Sequence, residues 1–199
     1  MSIGIVVPTY NEKENLPILV DRLRALPLPD LSILVIDDNS PDGTGALADE
    51  LAVRFPGSVS VIHRAGKLGL GTAYITGFKH MLANEIDLIG QMDADFSHEP
   101  EKIIEFVSAI TDHDLILGSR YIPGGSLDHN WPAWRKGLSN FGNIYARSIL
   151  GVPVKDVTGG FRLWRREVLS AIPWDRVRSN GYVFQIEMAY VAHKLGFKI

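Results

Sequence analysis

Short runs that are apolar throughout, alternating with helical periods, constrain this chain more than any other feature. Residues 3–7, 32–36, 59–62, 87–92 and 114–118 each read as a short strand. Between the first two, residues 12–26 place Leu16, Leu19, Val20, Leu23 and Leu26 at the spacing of one helical face, and helices are expected again at 44–55, 69–82 and 100–110. A strand apolar on both faces belongs in a sheet covered on both sides, and strands separated by helices run mainly parallel. The chain has 199 residues and is 46% hydrophobic, enough for one α/β domain with a sizeable core. After Ser119 the rhythm changes. Residues 120–136 are rich in Gly, Pro, Trp and Asn and have no clear period, the mark of a loop that is functional or mobile. Helical patterns resume at 137–150 and 182–195, and Phe197-Lys198-Ile199 reads as the start of another strand.

Composition narrows the classes. A net charge of −3 gives no bulk attraction to nucleic acid. Without cysteine there is neither a disulfide nor a thiolate metal site, which suits a reducing compartment. No apolar run approaches the ~20 residues that span a bilayer. The N-terminus enters a strand without the basic start and apolar run of a signal peptide. A cytosolic enzyme is the simplest expectation.

In an open parallel sheet, ligands bind at the carboxyl ends of the strands. Four of these ends carry unusual residues: Pro8-Thr9-Tyr10-Asn11-Glu12, Asp37-Asp38, Asp93-Ala94-Asp95 and Gly118-Ser119-Arg120. At the end of a strand, Asp93 and Asp95 can turn toward one point, where they repel unless a cation lies between them. Hard ions such as Mg²⁺ or Mn²⁺ bind through one or two carboxylates plus substrate phosphates. The alternative is a solvated turn. Asn11 and Glu12 read as the N-cap and first turn of the following helix, or as ligand contacts, or both. Asp37 and Asp38 form an Asx-turn before Pro41, or accept from a base N–H or a sugar hydroxyl. Tyr10 is a half-buried core ring or a stacking face. Gly66-Lys67-Leu68-Gly69-Leu70-Gly71 misses the Walker spacing and does not follow a strand like a dinucleotide fingerprint, but fits a glycine-flexed helix start with Lys67 near a phosphate. Thr44 reads as a helix cap. Arg120 and Arg135 are solvated, or place their forked donors on phosphate.

With these residues assembled, the chain resembles the family-2 glycosyltransferases of GT-A fold, and among them the polyprenyl-phosphate sugar synthases of the dolichol-phosphate mannose synthase type. The resemblance rests on VVPTYNEKENL (6–16), VIDDNSPDGT (35–44), GKLGLGTAYITGF (66–78), MDADFSHEPE (92–101), LGSRYIPGG (117–125), NWPAWRKGLSNFGN (130–143), DVTGGFRLWRREVL (156–169) and GYVFQIEMAYVAHKLGFKI (181–199). It implies a GT-A, Rossmann-like sandwich over residues 1–199, with a nucleotide-binding half at about 1–119 and an acceptor half at about 120–199. It implies that Pro8, Tyr10, Glu12, Ile36 and Asp38 hold the nucleoside, that Asp93, Ala94 and Asp95 hold metal and diphosphate, and that Arg120 and Arg135 contact phosphates. Asp95, Arg120 and Arg135 would then carry catalysis.

There are two departures from the family pattern. Ser97 stands where relatives often place a glutamine metal ligand, and would ligate directly or through water. The family continues beyond the point where this chain ends, with a basic segment near a membrane-facing helix, so the chain is expected to be truncated and to lack an acceptor-phosphate arginine.

The implied reaction moves mannose from GDP-mannose to a polyprenyl (dolichyl) monophosphate with inversion, using Mg²⁺ or Mn²⁺. A phosphate acceptor, with a second pKa of ~6, is already ionised near neutral pH, so no side chain is expected to act as an essential base. Asp156 is the fallback base. The alternatives are glucose from UDP-glucose, a hydroxyl acceptor, or a non-catalytic nucleotide-binding subunit. A lipid acceptor implies work at the cytoplasmic face of a membrane, beside a membrane-anchored partner protein or domain. Trp131, Trp134, Arg135 and Lys136 suit that interface, or form a lid over the site.

Overall fold

The alternation closes into a six-stranded sheet in the computed structural model, which describes residues 1–120 and 150–199. Strands β1 (Ile3–Thr9), β2 (Leu31–Asp37), β3 (Val59–His63), β4 (Leu88–Gln91) and β5 (Leu115–Leu117) follow the expected positions within a few residues. Helices α1 (Asn15–Arg24), α2 (Thr44–Arg54), α3 (Leu70–Ala83) and α4 (Lys102–Ala109) connect them, a 3₁₀ turn at Ile110–Asp112 preceding β5. Two further elements, β6 (Arg162–Arg165) and α5 (Arg166–Ala171), lie in a stretch whose sequence shows no clear period, and α6 (Gly181–Lys194) matches the last expected helix. The helix expected at 137–150, with Arg135, Trp131, Trp134 and Lys136, falls outside the described residues but for Leu150.

The strand order is β3-β2-β1-β4-β6-β5. The first four are mutually parallel, with Thr9 opposite Asp37, Asp37 opposite His63 and Val6 opposite Gln91. β6 is antiparallel to both β4 and β5. This inverted strand decides the site's composition. β5 keeps the direction of β4, so Arg120 arrives at the same edge as Asp93. The start of β6 faces that edge too, so the loop preceding Arg162 also arrives there.

Alternate residues of the strands enter different cores, which is why the runs are apolar throughout. Ile3, Ile5, Val7, Ile33 and Val35 pack with Leu16, Leu19, Leu23, Ile103 and Phe106 on one face. Val6, Leu34, Ile36 and Ile89 pack with Tyr74, Phe78, Val168, Phe184 and Met188 on the other. Helix α3 lies so close to β1 that a Cβ at Gly77 would fall 2.3 Å from Val6 Cγ1. At the chain end, Lys198 O accepts from the backbone N–H of Asp114 and Leu115, so the last residues run beside β5.

Candidate active site

The loops after β1 and β2 are fastened together. Asn11 N–H donates to Ser40 Oγ (3.1 Å), Glu12 N–H to Thr44 Oγ1 (2.9 Å) and Lys13 N–H to Asp42 Oδ2 (3.2 Å). These bonds replace the helix caps expected from the sequence. Asn11 has φ +61°, and α1 begins later, with Glu12 contributing its carbonyl to Asn15 and Leu16 N–H and a carboxylate oxygen to Asn15 Nδ2. Thr44 is not a cap: the cap is Gly43, and the Thr44 hydroxyl donates to Asp42 Oδ1 (2.6 Å). A side chain that reaches a neighbouring loop is lost to its own helix end.

The two adjacent acids after β2 have separate roles. Asp37 is the turn residue, accepting from Ser40 Oγ (2.6 Å), Ser40 N–H (3.2 Å) and Thr9 Oγ1 (3.2 Å). Asp38 is gripped by Arg64, whose Nε and Nη2 donate to its two oxygens at 2.6 and 2.9 Å while Nη1 reaches Thr72 Oγ1 (2.8 Å). Each Asp38 oxygen keeps lone-pair capacity for a further donor. Arg64 was not singled out in the sequence. It follows β3 directly, at the same edge, and that position was the signal available.

Around the acidic pair, Tyr74 Oη donates to Asp93 Oδ1 (2.7 Å). Tyr74 is wholly buried between Phe78 and Phe184, and burial together with Asp93 keeps its hydroxyl protonated well above the ordinary phenol range. Burial raises the Asp93 pKa, against the bond from Tyr74. Asp95 is exposed, and its Oδ1 accepts from Ser97 N–H (2.9 Å) and Ser97 Oγ (2.5 Å). The Ser97 hydroxyl thus orients Asp95, and its oxygen keeps lone pairs of its own. His98 stacks on Phe161 at 5.0 Å, and burial lowers its pKa, so the ring is neutral near pH 7. Its Nδ1 is buried without a hydrogen-bond partner among the described residues.

From the far end of the sheet edge comes Arg120. Its Nε and Nη2 donate to Asp156 Oδ2 (2.8 Å) and Oδ1 (3.1 Å), and Nη2 also to Thr158 Oγ1 (2.6 Å). Asp156 further accepts from Thr158 N–H, Thr158 Oγ1 and Gly159 N–H. Burial pushes its pKa upward, but the bonds and charge of Arg120 outweigh this and hold it below the ordinary aspartate value. An ionised, donor-saturated carboxylate is poorly suited to act as a base. Behind it, Arg162 is fully buried on β6 and donates to Gly159 O (3.0 Å) and Val157 O (2.9 Å), so the cation holds the loop that carries Asp156. Burial lowers the Arg162 pKa to about 9.

These elements border a cleft of about 230 Å³ lined by Pro8, Thr9, Tyr10, Glu12, Asp38, Lys67, Gly69, Leu70, Ala73, Asp93, Ala94 and Asp95. Lys67 lies over the Tyr10 ring, 4.2 Å from its centroid. Of the residues expected at the nucleoside and diphosphate, Pro8, Tyr10, Glu12, Asp38, Asp93, Ala94 and Asp95 line this space. Ile36 does not. Its side chain is wholly buried in the core with Ala73 and Phe78, leaving only its backbone near the edge. Ser97 and Arg120 stand outside the lining, and Arg135 falls outside the described residues.

Among the described residues, no three His, Cys, Asp or Glu side chains cluster as a self-sufficient metal cage. The donor set is instead two hard carboxylates at a cleft, which fits Mg²⁺ or Mn²⁺ completed by phosphate and water oxygens.

The profile described as Glycosyl transferase family 2 matches residues 4–172. The polyprenol monophosphomannose synthase of Mycolicibacterium smegmatis is 48% identical over 196 residues, covering 98% of this chain and 73% of its own length. The undecaprenyl-phosphate mannosyltransferase of Micrococcus luteus is 45% identical over 199 residues, covering 100% of this chain and 81% of its own length. Among solved structures, a mannosyltransferase from Pyrobaculum calidifontis in complex with GDP-Man and Mn²⁺ superposes with a TM-score of 0.68 at 18% identity, over 98% of this chain and 53% of its own. Glucosyl-3-phosphoglycerate synthase from Mycobacterium tuberculosis, in complex with Mn²⁺, UDP and glucosyl-3-phosphoglycerate, gives 0.63 at 18% identity, over 94% of this chain and 63% of its own. This chain therefore spans less than two thirds of either structure.

Proposed function

Because the chain belongs to glycosyl transferase family 2, we propose that it is an inverting hexosyltransferase moving mannose from GDP-mannose to a polyprenyl monophosphate. One observation carries this reading. A chain 48% identical to a polyprenol monophosphomannose synthase brings Asp38, Asp93 and Asp95 to one cleft at the carboxyl edge of its sheet. Residues 1–119 supply the donor side and residues 120–199 the acceptor side of a single catalytic domain.

In this reading Pro8, Tyr10, Glu12 and Asp38 receive the nucleoside, with the backbone of Ile36 beneath and Arg64 holding Asp38 in place. Asp93, Ala94 and Asp95 receive the diphosphate and a divalent ion, Mg²⁺ or Mn²⁺, with Ser97 orienting Asp95 and able to ligate directly or through water. When bound, that ion supplies Lewis-acid stabilisation of the leaving diphosphate. The acceptor phosphate is already ionised and attacks the anomeric carbon from the face opposite the leaving group, so a C–O bond forms as the bond to the nucleotide breaks. Arg120 and Arg135 offset the charge of two phosphate groups brought close together. What remains for the protein is alignment and charge neutralisation. The saturation of Asp156 by donors supports a holding role for it over that of a base.

No helix among the described residues is long and apolar enough to cross a membrane. A lipid acceptor then implies peripheral work at the cytoplasmic face, with a membrane-anchored partner or domain delivering the chain there. The test is transfer of radiolabelled mannose to undecaprenyl or dolichyl phosphate, with thermal shifts for GDP-, UDP- and sugar-linked donors with and without Mn²⁺. The expected result is lipid-linked mannose and a metal-dependent shift that is largest for GDP-mannose. Equal, metal-independent shifts for every nucleotide would sink the donor-site assignment. Preference for UDP-glucose would change the sugar but keep the site.

A further inference from the structure

The acidic pair is not symmetrical. Asp95 is exposed and oriented by its own turn, whereas the Asp93 carboxylate is held by residues distant in sequence. Its Oδ1 accepts from the hydroxyl of Tyr74, which the wholly buried ring, packed against Phe184 with 2° between ring planes, delivers from one direction. Its Oδ2 faces Gly160, where a Cβ would stand 3.0 Å from that oxygen. One oxygen therefore accepts from a donor, and a side chain at position 160 would press on the other. Tyr74 and the cleft-lining Leu70 and Ala73 belong to one helix, α3, so the donor side of the cleft and the anchor of Asp93 are a rigid unit.

We infer that Tyr74 is a positioning residue for the metal site: its hydroxyl holds Asp93 Oδ1 and so fixes the orientation in which the carboxylate would meet a divalent ion, while Gly160 keeps a side chain off Oδ2. This rests on the reading of Asp93 and Asp95 as metal ligands given above. The physical reason is general. A ligating carboxylate with a hydrogen-bonded second oxygen binds in one orientation, and removal of such a support costs about 10–100-fold in metal affinity.

The test is Mn²⁺ titration followed by electron paramagnetic resonance, in the presence of saturating GDP, for the wild-type chain and four variants. Tyr74→Phe is expected to weaken Mn²⁺ by about 10–100-fold while leaving GDP affinity without metal unchanged. That metal-free affinity is the readout a merely structural loss would move. Gly160→Ala keeps the Tyr74 bond but brings a methyl against Oδ2. It is expected to weaken Mn²⁺ in the same way, and it decides the matter should Tyr74→Phe fail to fold. Asp93→Ala and Asp95→Ala separate the two levels of the argument. Wild-type Mn²⁺ affinity in both aspartate variants would overturn the ligand reading itself. Loss of Mn²⁺ in those two, with wild-type affinity in Tyr74→Phe or in a folded Gly160→Ala, would overturn the role of Tyr74 and leave the ligands standing. A fall in metal-free GDP binding parallel to that for Mn²⁺ would also overturn it, as general damage to the cleft.

Discussion

Two arginine–aspartate pairs flank the acidic pair, one at each end of the sheet edge, and they are built in opposite senses. Arg64 and Asp38 are sealed together, with side chains 7% and 8% exposed. Arg120 and Asp156 are unequal, at 29% and 0%. The forked contact is similar in both, with paired donors at 2.6 and 2.9 Å in one and 2.8 and 3.1 Å in the other. What differs is which partner reaches the site. Asp38 lines the cleft and Arg64 supports it from behind. Asp156 is enclosed by backbone and hydroxyl donors, and its arginine is the partner with solvent access. The same ion pair thus presents an acceptor at one end and a fixed cation at the other, suited to a base edge and to a phosphate respectively.

Function at the second pair should break most severely. Arg120→Ala is expected to lower turnover by about 10²–10³-fold, the usual cost of removing one preorganised charge from a site, with donor affinity retained. Arg120→Lys should not restore it, because a point charge lacks the fork that matches Asp156 and phosphate together. Steady-state assays with polyprenyl phosphate check both, and a loss confined to donor affinity would erase the distinction between the pairs. Stability should respond in the reverse order. Arg64→Met leaves Asp38 buried and uncompensated, at a cost of about 3–5 kcal/mol in urea unfolding. Arg120→Met should cost less, because Asp156 keeps the donors of Thr158 and Gly159.

Acid should sharpen the contrast further. The folded-state pKa of Asp156 lies below its unfolded value, so its contribution to stability is complete above about pH 4 and is lost as pH falls through the folded value. The stability gap between wild type and Asp156→Asn should therefore be widest near neutral pH and shrink below about pH 4, as read by urea unfolding across that range. The smallest effect is expected at the cleft mouth. Lys67→Gln removes an exposed cation from the face of Tyr10, a contact worth about 0.5–1 kcal/mol, so urea unfolding should show a loss of stability no larger than that.

Much of the site was legible because it is local. Asp93 and Asp95 stand together at the end of an apolar run, and Tyr10, Glu12 and Asp38 likewise follow their strands, so the parallel arrangement carries them to one edge. The residues that were missed act at long range. Arg64 reaches Asp38 across 26 positions and Tyr74 reaches Asp93 across 19. Arg162 is among the most buried side chains of the fold, although a lone arginine in the sequence reads as surface. Residues 162–165, Arg-Leu-Trp-Arg, do not resemble a core strand until two neighbours bury Trp164 and carbonyls receive the guanidinium. Ile36 shows the converse: it adjoins Asp37-Asp38 in sequence, but the pleat turns its side chain into the core and leaves only its backbone for the edge.

By itself, the sequence determined the alternation of strand and helix, the face-to-face burial of the sheet and the edge at which chemistry gathers, because periodicity and parallel pairing depend on neighbours along the chain. Only the tertiary structure decided what each charge does there. The inverted β6 brings Asp156 to Arg120 across 36 positions, and α3 brings Tyr74 under Asp93. Whether a carboxylate reads a base, holds an arginine or awaits a cation depends on which donors and how much solvent surround it, and those are set by residues that meet only when the sheet closes.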